Sequence, residues 1–193
     1  MSFDTILEIT GFTIGLIYLY YEYHANSKMW IAGLVMPMIS MWVYYSKGLY
    51  ADFAMNIYYL VMAVYGYVAW TFSFRRRQKE NRPVSHIAPR ALLGTAAVFA
   101  AVYAALVTWL IFLTDSNVPW LDGFTTAMSI IGTWMLARKY IEQWIAWILV
   151  DIVCVGLYIY KGIYFYSALY AAYTVVAVFG YLKWRRLMAG QAA

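Results

Sequence analysis

The sequence predicts an all-α integral membrane protein of seven transmembrane helices, and three observations carry that prediction. Hydrophobic residues make up 65% of the 193-residue chain and charged residues 12%, with a mean hydropathy of +0.64. A soluble domain is about 45–50% apolar and about 25% charged. Second, the apolar residues fall into seven runs, each near the roughly 20 residues that a helical span needs. Third, a three-helix unit occurs twice. A chain of this size could not hide so much apolar surface from water, which excludes a soluble enzyme, a disordered chain and a nucleic-acid binder.

The elements follow in order. Span one is Ile6–Tyr23, closing on a run of tyrosines that favour the headgroup level. Span two, Met29–Tyr45, contains Pro37, whose missing N–H marks a kink or hinge. Span three is Phe53–Phe74. A hydrophilic segment, 75–90, carries Arg75, Arg76, Arg77, Lys79, Arg82 and Arg90 with two prolines, and reads as a cytoplasmic linker. Ala91–Leu113 is span four, Trp120–Ala137 span five and Gln143–Tyr160 span six. Span seven, Tyr164–Leu182, stops before Lys183, Arg185 and Arg186. Aromatic residues near span ends (Tyr18, Tyr20, Tyr21, Tyr23, Trp70, Trp120 and Trp184) are expected to be interfacial anchors.

Orientation follows from the basic residues, because the net charge of +5 is unevenly placed. With the N-terminus outside, twelve of the 14 Lys and Arg fall on the cytoplasmic side. Only Lys47 and Lys161 fall outside, together with Asp4, Asp52, Asp115 and Asp122. The positive-inside rule therefore predicts N-out, C-in. Met1–Thr5 has no basic run and carries Asp4, so no cleavable signal peptide is expected. The single Cys154 forms no internal disulfide.

The duplication is visible without gaps. Tyr44–Trp70 aligns with Tyr158–Trp184 at a constant offset of 114, with twelve identities in 27 positions. These include Lys47/Lys161, Gly48/Gly162, Tyr59/Tyr173, Gly66/Gly180 and Trp70/Trp184, and at the same offset Trp30 falls on Trp144. An odd number of spans per copy would insert the second copy upside down, and span four restores the orientation. The expected architecture is a single membrane domain over 1–193 in a 3+1+3 arrangement of two parallel three-helix repeats. Residues 6–74 form the first repeat, 75–90 the basic linker, 91–113 a linker helix and 120–182 the second repeat. Gly48 and Gly162 read as turn residues with positive φ; Gly66 and Gly180 read as points of close helix approach.

Ionisable residues within a span are rare and functional by default. Asp151 lies near the middle of span six, where its charge costs about 2.5–3.5 kcal/mol on insertion scales. Trp144, Trp147 and Asp151 recur at i, i+3 and i+7, which puts them on one helical face. A carboxylate beside indole rings suits a flat aromatic cation, although tryptophans packing helices and an aspartate bonded to a hydroxyl fit the same spacing. Asn56 and Tyr59 form a polar pair in span three that the repeat maps onto Tyr170 and Tyr173 in span seven. Arg138, Lys139 and Glu142 read as a locally paired charged cap. His24 and His86 stand apart, so no metal site is expected. No phosphate-binding loop or other cofactor motif appears, and an enzyme is not expected because only Asp151 lies deep.

The segments YADFAMNIYYLVMAVYG in span three and RKYIEQWIAWILVDIVCVGLYIYKGIY across spans five to six resemble the PnuC family of bacterial vitamin transporters. The latter segment is similar to that family's W-x-x-W-x-x-x-N signature, with Asp151 at the Asn position. The resemblance covers nearly the whole chain and implies a SWEET-like fold in the bacterial inner membrane. It implies facilitated diffusion of a small B-vitamin, trapped by phosphorylation inside the cell. It also implies a substrate role for Trp144, Trp147 and Asp151, and for Asn56 and Tyr59. A homo-oligomer is compatible with the sequence; a nucleic-acid partner is not. Nicotinamide riboside and thiamine are both cationic, so charge does not separate them. An ionised Asp only accepts hydrogen bonds, which suits the amine of thiamine better than ribose hydroxyls. The sequence-level expectation is therefore thiamine, with nicotinamide riboside as the alternative and riboflavin or a sugar less favoured.

Overall fold

The computed structural model describes residues 3–46, 50–71, 83–114, 116–162 and 164–191. The Lys47–Gly48 turn, Asp115 and the cluster Arg75–Arg77, Lys79 and Arg82 lie outside the described residues. The described residues form seven α-helices: α1 (Phe3–Tyr23), α2 (Met29–Ser46), α3 (Tyr50–Thr71), α4 (Pro89–Leu113), α5 (Pro119–Ala137), α6 (Gln143–Tyr160) and α7 (Tyr164–Gln191). Two of them, α4 and α6, are long and apolar enough to cross a membrane by length and composition. Helices α4 and α5 begin at a proline, whose fixed φ and absent N–H suit the first helical position.

The chain divides into two compact units, Met1–Pro83 and Val84–Ala193. In the first, α2 packs on both α1 and α3; in the second, α4 packs on α5, α5 on α6 and α6 on α7. The turn between the first two helices of the first unit recurs 114 residues later in the second. Ala25 and Lys139 both take a left-handed backbone, at φ 50° and 55°. The same closing bonds follow: Asn26 N–H donates to Tyr21 O at 2.9 Å, and Tyr140 N–H to Met135 O at 3.0 Å. Gly162 has φ +72°, as a turn glycine should.

The anchoring reading of Trp70 and Trp184 does not survive. Both are fully buried, at 1% and 0% exposure. Trp70 meets Trp30 edge-on at 5.6 Å and 87°, and Trp184 meets Trp144 edge-on at 5.7 Å and 88°. Edge-to-face contact is a favoured geometry for aromatic rings. Each pair is seated by a glycine, since a Cβ on Gly66 would overlap the Trp30 ring and one on Gly180 would lie 2.5 Å from Trp144. The glycines thus admit an indole rather than a neighbouring backbone. Tyr20 and Trp120 are exposed.

The last part of the hydrophilic segment is ordered against the second unit. Ser85 N–H donates to Lys139 O and Ser85 O accepts from Ile141 N–H, both at 3.1 Å. His86 Nδ1 donates to Glu142 Oε1 at 2.8 Å, and Ile87 N–H donates to Glu142 Oε2 at 3.1 Å. Val84 N–H reaches Gln191 Oε1 at 3.1 Å, at the end of an α7 that runs nine residues past the expected Leu182. His86 therefore does not stand apart, and both Glu142 oxygens are engaged by the 84–87 strap. Arg138 lies over the Trp134 ring, and Lys139 is buried.

Candidate functional site

Helix α6 is an 18-residue, mostly apolar run rich in β-branched and aromatic residues; away from water a helix satisfies every backbone group within the segment, and its faces divide between two neighbours. Trp144 faces α7, in the Gly180 notch, and is 2% exposed. Trp147 faces α5: its ring lies 3.6 Å from where a Cβ on Gly132 would stand. The two indoles therefore lean on different helices and do not enclose one cradle. Asp151 is the ninth residue of the 18-residue α6 and is 6% exposed. No hydrogen bond or ion pair engages its carboxylate among the described residues.

Helix α7 supplies the aromatic groups opposite. Tyr170 and Tyr173 both lie within electrostatic reach of Asp151. Tyr170 stacks on Tyr158 at 5.3 Å and meets Tyr173 edge-on at 5.9 Å. Asp151 on α6 and Tyr170 and Tyr173 on α7 thus belong to one packed helix pair, with Trp147 one turn from Asp151 on the α5 side. Asn56 and Tyr59 lie on α3 in the first unit, both half-buried. Tyr59 packs against Tyr58 at 5.6 Å and lies within reach of Tyr18.

The offset of 114 allows each of these positions to be compared between the two units. Trp144 has a counterpart, Trp30, that packs the same way against the equivalent glycine, so the indole there serves helix packing in both copies. Trp147 and Asp151 have no such counterparts. Their equivalents are Gly33 and Pro37, and one turn earlier the equivalent of Gln143 is Met29. The i, i+4, i+8 line is Met29–Gly33–Pro37 in the first unit and Gln143–Trp147–Asp151 in the second. An aromatic ring still fills the helix seam in each unit, but from opposite sides: Tyr18 of α1 lies over Gly33 of α2, and Trp147 of α6 over Gly132 of α5. Polar side chains at 143 and 151 of α6 thus stand where α2 has Met29 and Pro37.

Four buried polar residues among those described, Glu22, Thr133, Gln143 and Ser167, escaped sequence reasoning, and two of them bear on the site. Glu22 is 3% exposed, although its place at the end of a span reads as a solvated position. Gln143 is 0% exposed and opens α6. The signal that could have found Gln143 was available, since the offset of 114 pairs it with an apolar residue.

The sequence pattern of the nicotinamide mononucleotide transporter family matches residues 5–186. The chain is 21% identical to the nicotinamide riboside transporter PnuC of Escherichia coli, over 92% of this chain and 84% of that protein. It is 24% identical to the riboflavin/roseoflavin transporter RibM of Streptomyces davaonensis, over 92% of this chain and 83% of that protein. Its fold is similar to the crystal structure of the vitamin B3 transporter PnuC, with a TM-score of 0.72 and 23% identity over 96% of this chain and 83% of that one.

Proposed function

The chain belongs to the nicotinamide mononucleotide transporter family, and from that premise we propose that it carries nicotinamide riboside down its gradient across the bacterial inner membrane. That it is a membrane vitamin transporter of the PnuC family, and not an enzyme, follows from the family itself. Relatives that carry the nicotinamide riboside name support the choice of substrate. The proposed arrangement is 3+1+3, N-out and C-in. It is supported by the recurring turn, the recurring Trp–Trp–Gly packing and the placement of basic residues.

The observation that carries the reading of a cationic vitamin is Asp151, a mid-helix carboxylate that is buried and engaged by no protein donor among the described residues; the relatives' names choose nicotinamide riboside among such cations. A buried charge without a partner is costly, and a cationic pyridinium supplies that partner. The Trp147 ring offers a π-face worth about 0.5–2 kcal/mol toward a cation. Tyr170 and Tyr173 on the adjacent α7 are proposed as further substrate contacts of the second unit, and Asn56 and Tyr59 as those of the first. Trp144 acts at one remove, by fixing α6 on α7. Passage needs no coupled ion, and phosphorylation inside the cell would make uptake one-way.

Thiamine is the second reading, and Asp151 itself favours it. The carboxylate stands where the family signature has Asn and accepts from the aminopyrimidine without donating to a ribose. Counterflow of labelled nicotinamide riboside and labelled thiamine in proteoliposomes separates the two. The expected result is exchange of nicotinamide riboside; exchange of thiamine alone would replace the first reading with the second. Accumulation above the external concentration under an imposed proton or sodium gradient would refute facilitated diffusion for either.

A further inference from the structure

We propose that Gln143 is a third substrate-contacting side chain of α6, taking the vitamin's paired donor–acceptor edge at the cytoplasmic end of the path. The inference rests on the transporter reading and its N-out orientation. Gln143 is 0% exposed, yet neither its Nε2 nor its Oε1 meets a hydrogen-bond partner among the described residues. Buried polar groups in native proteins nearly always find partners, and an amide left without one costs stability. Retaining it points to a role outside folding.

Position gives the role its content. Gln143, Trp147 and Asp151 recur every four residues, so they follow one slowly turning line along α6. Successive members are about 6 Å apart along the axis at 1.5 Å per residue. The line begins where α6 meets the turn that the 84–87 strap covers. In the N-out arrangement that end is cytoplasmic, so a vitamin released by Asp151 and Trp147 meets Gln143 next.

The duplication supplies an internal control. Met29 occupies the equivalent position, also at 0% exposure. The backbone bond beneath is the same in both: Met29 N–H donates to Asn26 O at 3.1 Å, and Gln143 N–H to Tyr140 O at 3.2 Å. An unbranched apolar side chain of similar length therefore packs in this setting. Packing alone does not require an amide there.

A primary amide presents one donor and one acceptor side by side. Its best partner shows the complementary pair, as a carboxamide does, or an amino group next to a ring nitrogen. Both candidate vitamins carry such an edge, so the inference holds for either. An analogue with a carboxylate in place of the carboxamide would offer only acceptors and would be received poorly.

The test uses full-length protein in proteoliposomes, with labelled nicotinamide riboside and labelled thiamine as probes. Q143M copies the first unit's own residue. It should melt at the same or a higher temperature than the unaltered protein while exchanging its substrate about tenfold more slowly. A purely structural glutamine predicts the reverse, a lower melting temperature with exchange intact. Where nicotinamide riboside is carried, its preference over nicotinic acid riboside should also shrink about tenfold in Q143M. Should Q143M fail to fold, Q143L keeps a similar volume and removes both donor and acceptor, and the same slowing is expected. Unchanged exchange in a folded Q143M or Q143L overturns the assignment of Gln143 alone. If the unaltered protein exchanges neither vitamin, the transporter reading falls and takes this inference with it.

Discussion

Replacing Gly180 with alanine tests the notch that seats α6 on α7. The new Cβ would stand 2.5 Å from the Trp144 ring, a separation that real side chains do not tolerate, so something must move. The ring is poorly placed to do so: Trp144 is 2% exposed and braced edge-on at 5.7 Å by the fully buried Trp184. Overpacking a filled site costs about 1–3 kcal/mol. Alanine recovers about 0.5–1 kcal/mol of helix stability over glycine, leaving a net loss of up to about 2.5 kcal/mol. Gly156 on α6 is the control, because a Cβ there meets nothing within 4 Å. Thermal melts of purified protein in detergent should place G180A below the unaltered protein and G156A at or above it. Trp144→Phe in the G180A background should return part of the loss, since the smaller ring vacates the contested space. Contacting residues couple by about 0.5–3 kcal/mol in such cycles. A G180A protein as stable as G156A would refute the notch, and with it the view that Trp144 serves packing.

Four further outcomes are expected. Asp151→Asn should weaken binding of thiamine by about 10–150-fold, the equivalent of a charge-assisted contact of about 1.5–3 kcal/mol, while nicotinamide riboside binding holds or rises because Asn is the residue of the family signature; titration calorimetry that finds thiamine binding unchanged would make Asp151 structural. Glu142→Ala removes the acceptors of His86 and Ile87 and should cost about 1–3 kcal/mol, read as a lower melting temperature together with faster proteolysis at 83–88. Ala25→Gly should raise the melting temperature by an amount equivalent to about 0.5–1 kcal/mol, because glycine accepts φ 50° without strain. A cysteine at the exposed Tyr160 should react with an impermeant thiol reagent added outside intact cells, and one at the exposed Arg186 should not; the opposite pattern would invert the topology.

The sequence alone determined the class, the seven helices and the run of identities at one offset. Each depends on local or periodic properties: composition, run length, and identities repeated at one offset. Helix ends were legible to within a few residues where Pro89, Pro119 or Gly162 imposes a backbone preference. The end of α7 was not. Its cationic tail reads as a stop, yet the helix continues to Gln191, where the side chain bonds to Val84 across a separation of 107 residues. Asp151 was legible as a candidate because a charge within an apolar run is conspicuous.

What only the tertiary structure decided is which neighbour each side chain faces. Trp144 and Trp147 share one face in a helical projection, but the seams with α7 and α5 lie on either side of that face and take one indole each. Trp70 and Trp184 read as interfacial because they stand at span ends, yet the glycines at 66 and 180 open room for their partners and draw them inside. Gln143 is an ordinary polar residue at a helix start until its burial and its unsatisfied amide are seen. Spacing along a chain gives direction around one helix axis. Burial depends on what another helix brings to the same place, and that is settled only when the helices pack.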